Sequence, residues 1–163
     1  MSRHTQSHAP TAADAAAIRD LYQRMIDGWN AGSGDGFASV FAEDGEQVAF
    51  DGTRYQGRAA IAAAHQQLFD TWVKGSRLVG RVLDIRLLTE DVAQMNTIGG
   101  TVLAGQFDIA PDRNSVQTFI AVKQDGVWRV AALHNTRAEY LGRPDEAQAL
   151  TDELRSLLTA PAP

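Results

Sequence analysis

Two histidines carry the chemistry that this sequence offers. His65 falls in the stretch Arg58 to Trp72, where Ile61, Leu68, Phe69 and Trp72 have the spacing of one face of an α-helix. It interrupts that apolar face, so its imidazole is expected to look into the protein. There it serves either as a core histidine bonded to a backbone carbonyl or as an acid/base and hydrogen-bond partner for a ligand oxygen, since imidazole titrates near neutral pH. His134 is the second candidate. Trp128, Val130, Ala132, His134 and Thr136 share one strand face by period two. Trp128 and Val130 read as core, so His134 is expected to point into the same interior, towards its mouth, with Asn135 pointing away. The competing reading of His134 is a polar residue lining a wet pocket.

Two imidazoles facing one cavity suit proton transfer or the holding of an anion. They fall short of a metal set, because no carboxylate third ligand accompanies them and the chain has no cysteine. No glycine-rich phosphate loop follows a strand, and no serine lies in a nucleophile elbow. No cofactor and no metal are therefore expected. Trp29, Phe50, Tyr55, Phe69 and Trp72 come from elements that should surround the cavity. They read as ligand wall or as plain core, with core favoured for Phe69. A large apolar pocket with few polar groups suits a flat, apolar molecule.

The elements that position these residues follow from periodicity. Residues 1–10 are polar and read as a disordered tail. Thr11 is a good N-cap, and Ile18, Leu21, Tyr22, Met25, Ile26 and Trp29 keep helical spacing until Gly32 and Gly34. Asp35 to Phe41 reads as a second short helix. Glu46 to Phe50 reads as a strand, turning at Asp51-Gly52 and returning through Thr53 to Tyr55. The helix that carries His65 then runs to Gly75. Four long strands follow, at 77–89, 92–104, 114–123 and 127–137, with Gly99-Gly100 read as a bulge or bend. Pro144 precedes a final helix over 145–158. Arg58 is expected to pair with a nearby carboxylate. The fold class is α+β: a cone-shaped, curled antiparallel sheet packed on three N-terminal helices, plus a C-terminal helix.

The totals fit that picture. A chain of 163 residues with 44% hydrophobic content makes one domain, spanning 11–140, with residues 141–163 as a C-terminal helix and tail. The net charge of -5 and the scattered basic residues exclude a general nucleic-acid or membrane-surface binder. The first residues lack the apolar core of a secretory signal, and no apolar run is long enough to span a membrane, so a cytoplasmic location is expected.

The order of motifs resembles a family. Trp29-Asn30, Phe41-Ala42-Glu43-Asp44, Asp51-Gly52, Gly57-Arg58, Asp91-Val92-Ala93 and Trp128-Arg129-Val130-Ala131-Ala132, followed by Asn135-Thr136, look like the nuclear transport factor two-like superfamily with its SnoaL-like cone fold. Within it they are most similar to the SgcJ/EcaC group. The resemblance covers roughly residues 11–140. It implies a conical cavity between curled sheet and helices, used in relatives by cyclases, ketosteroid isomerases, dehydratases, epoxide hydrolases or simple binding proteins. It also implies enediyne or polyketide biosynthesis as a setting and a homodimer formed through the sheet. The position matching the catalytic carboxylate of the ketosteroid isomerases is Ala49, so that base is missing. The expectation is a small-molecule cavity protein of secondary metabolism, acting as cyclase, isomerase or hydratase on an apolar polyketide-like substrate. The alternatives are a non-catalytic binder or carrier of such a metabolite and a dimeric assembly module.

Overall fold

The computed structural model describes residues 8–159. Helix α1 spans Ala12–Asn30, α2 Gly34–Ala38 and α3 Arg58–Asp70, with the short strands β1 Phe41–Val48 and β2 Arg54–Gln56 between the last two. Strands β3 Arg77–Thr89, β4 Val92–Val102, β5 Ser115–Gln124 and β6 Val127–Arg137 follow, and α4 Pro144–Thr159 closes the chain. A single turn of 3-10 helix, Pro111–Arg113, leads into β5.

The α+β class is as expected, and the six strands form one sheet in the order β2-β1-β6-β5-β4-β3. The sheet is mixed rather than wholly antiparallel, because β1 runs parallel to β6. Phe41 opens β1 instead of closing the second helix, which ends at Ala38. Phe37, Val40 and Phe41 are all buried, so the same apolar residues serve the core in either conformation. A short apolar run of this kind has no periodicity that separates strand from helix.

Helices α1 to α3 pack on the concave face of the sheet. Thr11 caps α1 by accepting from the Asp14 amide, 3.1 Å away. Asp14 in turn accepts from Trp128 Nε1 at 2.8 Å and Lys123 Nζ at 3.1 Å, which ties the start of α1 to the β5–β6 hairpin. These donors hold the Asp14 carboxyl below its ordinary pKa, Trp128 most strongly. Ile18, Leu21, Tyr22, Met25 and Ile26 then bury one stripe of α1 against Met95, Phe119, Val130 and Leu133 of the sheet.

Gly99 and Gly100 form no bulge in β4. The strand keeps register through them, and the irregularities lie in β3, between Val82 and Asp84 and between Leu87 and Thr89. The glycines make room on both faces. A methyl group on Gly80, the cross-strand partner of Gly99, would fall 2.1 Å from the Tyr22 hydroxyl. A methyl on Gly100 would meet Leu154 at 3.0 Å on the opposite side.

That opposite, convex face carries a second, smaller core. Ile98, Val102 and Ile109 pack against Leu150 and Leu154 of α4. Asn114 Nδ2 donates to Thr151 Oγ1 at 2.8 Å, and Arg81 pairs with Glu153. So α4 covers the β3–β4 end of the convex face. Residues 1–7 of the expected tail lie outside the described residues, whereas His8 is held by a backbone bond from Leu87. Among the described residues no helix is long and apolar enough to cross a membrane.

Candidate functional site

A cavity of ≈ 400 Å³ opens between α1, α3 and the concave face. Helix α3 places His65 in its wall. Ile61, Ala62, His65 and Phe69 are the buried stripe of that helix. His65 is 3% exposed, and its Nδ1 lies 2.8 Å from the Ile61 carbonyl oxygen. A carbonyl only accepts, so Nδ1 carries the proton and Nε2 is the bare acceptor. The ring stacks on Phe37 at 3.9 Å and 17°, with Trp29, Tyr55 and Phe69 around it. Burial pushes its pKa down to about 4, against a smaller opposing effect of the Ile61 carbonyl. At neutral pH His65 is therefore an uncharged proton acceptor in a cavity wall. Among the described residues Arg58 meets no carboxylate; its Nη1 donates weakly to the Phe41 carbonyl at 3.4 Å.

The second imidazole is elsewhere. His134 is exposed and does not line the cavity. The register between β5 and β6 slips once: Val130 faces Ala121, whereas Ala132 faces Ile120, leaving Ala131 as the extra residue of a β-bulge. A one-residue insertion exchanges the faces of everything beyond it. Trp128 and Val130 point inward as expected, but beyond the bulge Leu133 and Asn135 take the inward positions. His134 is thereby turned to the convex face.

The bulge brings in residues that the sequence reading missed. Asn135 stands opposite Gln117 on β5, and Leu133 stands opposite Gln47 on β1. All four line the cavity, together with Thr101 and Ser115. Gln117 Oε1 accepts from Thr97 Oγ1 at 2.5 Å and Tyr22 OH at 3.0 Å, which anchors it. The Tyr22 hydroxyl also reaches the Ile98 carbonyl at 2.8 Å, and its burial raises the phenol pKa. Gln47 Oε1 and Asn135 Oδ1 are buried with no hydrogen-bond partner. Each such orphan costs about 1–3 kcal/mol relative to a satisfied group. The signal for Gln117 was present: it shares period-two alternation with Phe119 and Ala121, both fully buried.

The aromatic candidates divide. Trp29 and Tyr55 line the cavity beside His65. Phe50 lies at its edge, 44% exposed. Phe69 is buried behind His65 and does not reach this cavity. Trp72 touches the cavity but is 85% exposed, so it stands at the rim and not on the inward helix face. The helix ends at Asp70, and Thr71 leaves helical geometry at φ -129 and ψ -96. The helical rotation is lost there, and Val73 takes the buried place. Ala49 lines the cavity where the ketosteroid-isomerase comparison would need a carboxylate. Asp51 is occupied by the turn, accepting from the Thr53 amide at 3.0 Å. Among the described residues no three His, Asp or Glu side chains group as metal ligands.

The arrangement is a mostly apolar hollow with one neutral imidazole and a band of amides. It can hold a flat apolar molecule against the aromatic wall while acceptors and donors on the sheet read its polar edge. Comparison with known proteins places the fold. A domain of unknown function with a cystatin-like fold from Nostoc punctiforme is 38% identical and superposes with a TM-score of 0.79, over 93% of this chain and 100% of that one. An uncharacterized protein with a cystatin-like fold from Caulobacter vibrioides is 27% identical with a TM-score of 0.67, over 85% of this chain and 96% of that one. A hexachlorocyclohexane dehydrochlorinase from Novosphingobium barchaimii shares the fold at 18% identity and a TM-score of 0.65, over 77% of this chain and 86% of that one. No curated protein matches the chain. The SnoaL-like domain matches residues 10–134, and the chain belongs to that family.

Proposed function

We propose that the protein takes an apolar, hydroxylated small molecule into the concave cavity and that His65 Nε2 accepts a hydrogen bond or a proton from it. One observation carries this reading: an uncharged imidazole and two orphaned amide oxygens, Gln47 Oε1 and Asn135 Oδ1, border one hollow with no donor among the described residues to satisfy them. A proton acceptor buried beside polarising amides suits elimination or isomerisation chemistry, in which a proton leaves carbon or oxygen. A polyketide-like substrate, a place in secondary metabolism and membership of the SgcJ/EcaC group are the finer part of the proposal, supported by the motif order and the aromatic wall.

A second reading, a non-catalytic carrier, is favoured by the partner of His65 Nδ1. That partner is a backbone carbonyl and not a carboxylate, so nothing stabilises the imidazolium that a proton transfer would create. One experiment serves both. The protein is purified from its native cells and denatured, and the released small molecules are identified by mass spectrometry. An apolar hydroxylated compound, lost from the His65→Phe variant, is expected. Incubation of that compound with fresh protein separates catalysis from carriage, by conversion or by recovery intact. No released compound, together with no thermal shift by 2-naphthol, would overturn the cavity reading.

The same proposal includes pairing of two copies through the part of the convex face that α4 leaves uncovered, where Thr118, Ile120 and Val122 of β5 are only half-buried. Light scattering at micromolar concentration is expected to give a dimer, and a monomer would exclude it.

A further inference from the structure

One row of polar residues runs from the 3-10 turn Pro111–Arg113 into β5 along the cavity. Arg113, Ser115 and Gln117 all line the hollow, and Phe119 follows at the same period-two spacing. Arg113 is half-buried, Ser115 is 6% exposed, Gln117 is 4% and Phe119 is 0%, so this row runs from mouth to floor. At the mouth is a cation. Among the described residues the Arg113 guanidinium has no salt-bridge partner and donates no side-chain hydrogen bond. Arg24, Arg54, Arg81, Arg137, Arg143 and Arg155 each meet a carboxylate, whereas Arg19, Arg58, Arg77, Arg86 and Arg129 do not, and of the described arginines without a carboxylate Arg113 is the one that lines this cavity. Asp51, a carboxylate on the same cavity, is turned to the Thr53 amide and not to Arg113. A half-buried guanidinium with five unused donors beside an apolar hollow is a strong site for a planar anion.

At the other end the demand is reversed. His65 offers an acceptor, and Gln47 and Asn135 offer two more that lack donors. Between the ends, the helices supply an apolar wall of Met25, Leu68 and Val73. We infer that the occupant is an apolar carboxylic acid, with its carboxylate on Arg113 at the mouth and a hydroxyl or enol donor reaching His65 and the orphaned amides within. This rests on the cavity reading above and adds the chemical class of the molecule. It excludes a substrate presented as a neutral ester or thioester, which would leave Arg113 unpaired.

The test compares 6-hydroxy-2-naphthoate with its methyl ester by isothermal titration calorimetry on the full chain. The two share a flat apolar body and a distal hydroxyl and differ in the charge at one end. The acid is expected to bind at least about tenfold tighter than the ester, as suits a charge-assisted pair partly shielded from water. Arg113→Gln is expected to remove that preference while leaving the affinity for the ester unchanged. The side chain is half-buried and unpaired, so the variant keeps the native circular dichroism spectrum. Equal binding of acid and ester by the native protein, or a preference that survives Arg113→Gln, overturns the inference and leaves the cavity reading standing. Binding of neither compound overturns both.

Discussion

The two faces of the sheet are built from similar residues and treat polar groups in opposite ways. On the convex face Asp84 accepts from Asn96 at 2.8 Å, Arg86 donates to Gln94 at 2.8 Å, and Arg81 meets Glu153 of α4. Those partners are local, and solvent reaches them. On the concave face Gln47 and Asn135 are held out of water with acceptor atoms unmatched. The imidazoles repeat the contrast, with His65 buried and uncharged and His134 exposed. The convex side has one such atom, Asn114 Oδ1 under α4, so the unmatched acceptors gather in the cavity without being confined to it, and the two that border the hollow are open to a group that is not part of the chain.

The largest way to break the comparison is to damage the convex side alone. Leu154 is fully buried between α4 and the sheet. Leu154→Ala is expected to cost about 2–5 kcal/mol in urea denaturation, while binding of 2-naphthol in the cavity persists in the folded fraction. Loss of binding from the folded protein would show that the two faces are coupled.

The next largest effect is the pH dependence of the concave side. The folded pKa of His65 is about 4 and its unfolded value is 6.5, so between those values the unfolded chain binds more protons. Stability is full above pH 6.5 and falls as the pH drops towards 4, by about 3 kcal/mol at most. His65→Phe is expected to flatten that part of the profile in urea titrations between pH 4 and 7. An unchanged slope would mean that the imidazole is already exposed to protons in the native state.

A smaller change sharpens the contrast. Gln47→Met keeps the length of the side chain and deletes the orphaned oxygen. It is expected to leave stability unchanged or raise it by about 1 kcal/mol, while weakening ligand binding. A destabilised variant would mean that Gln47 already has its partner within the protein. The smallest effect belongs to His134→Ala, expected within about 0.5 kcal/mol of the native protein and silent in binding. A loss of binding there would return His134 to the site.

Much of the fold was legible because its signals were long or sharply bounded. The α1 stripe from Ile18 to Met25 repeats over several turns, and β3 and β6 begin and end where the sequence places turns, at Arg77 to Thr89 and Val127 to Arg137. The placement of His65 was legible, because helix periodicity puts it on an apolar face. The placement of His134 failed at Ala131. A bulge between two alanines changes no hydropathy, so the exchange of His134 for Asn135 on the inner face is invisible in the pattern. Trp72 failed for a related reason: its spacing assumed a helix that stops two residues earlier. The cavity amides were hidden because a glutamine in a strand reads as a solvent-facing residue until the partner strands are known. Gln117 is recognised by its neighbours Thr97 and Tyr22, which come from distant parts of the chain.

The most direct measurement is 15N NMR of the imidazole rings during titration with 2-naphthol. A protonated Nδ1 and bare Nε2 for His65 from neutral pH down to about pH 5 are predicted, with its Nε2 resonance shifting on saturation while that of His134 stays still. A His65 ring that titrates near 6.5, or a shift at His134 in its place, would contradict the account.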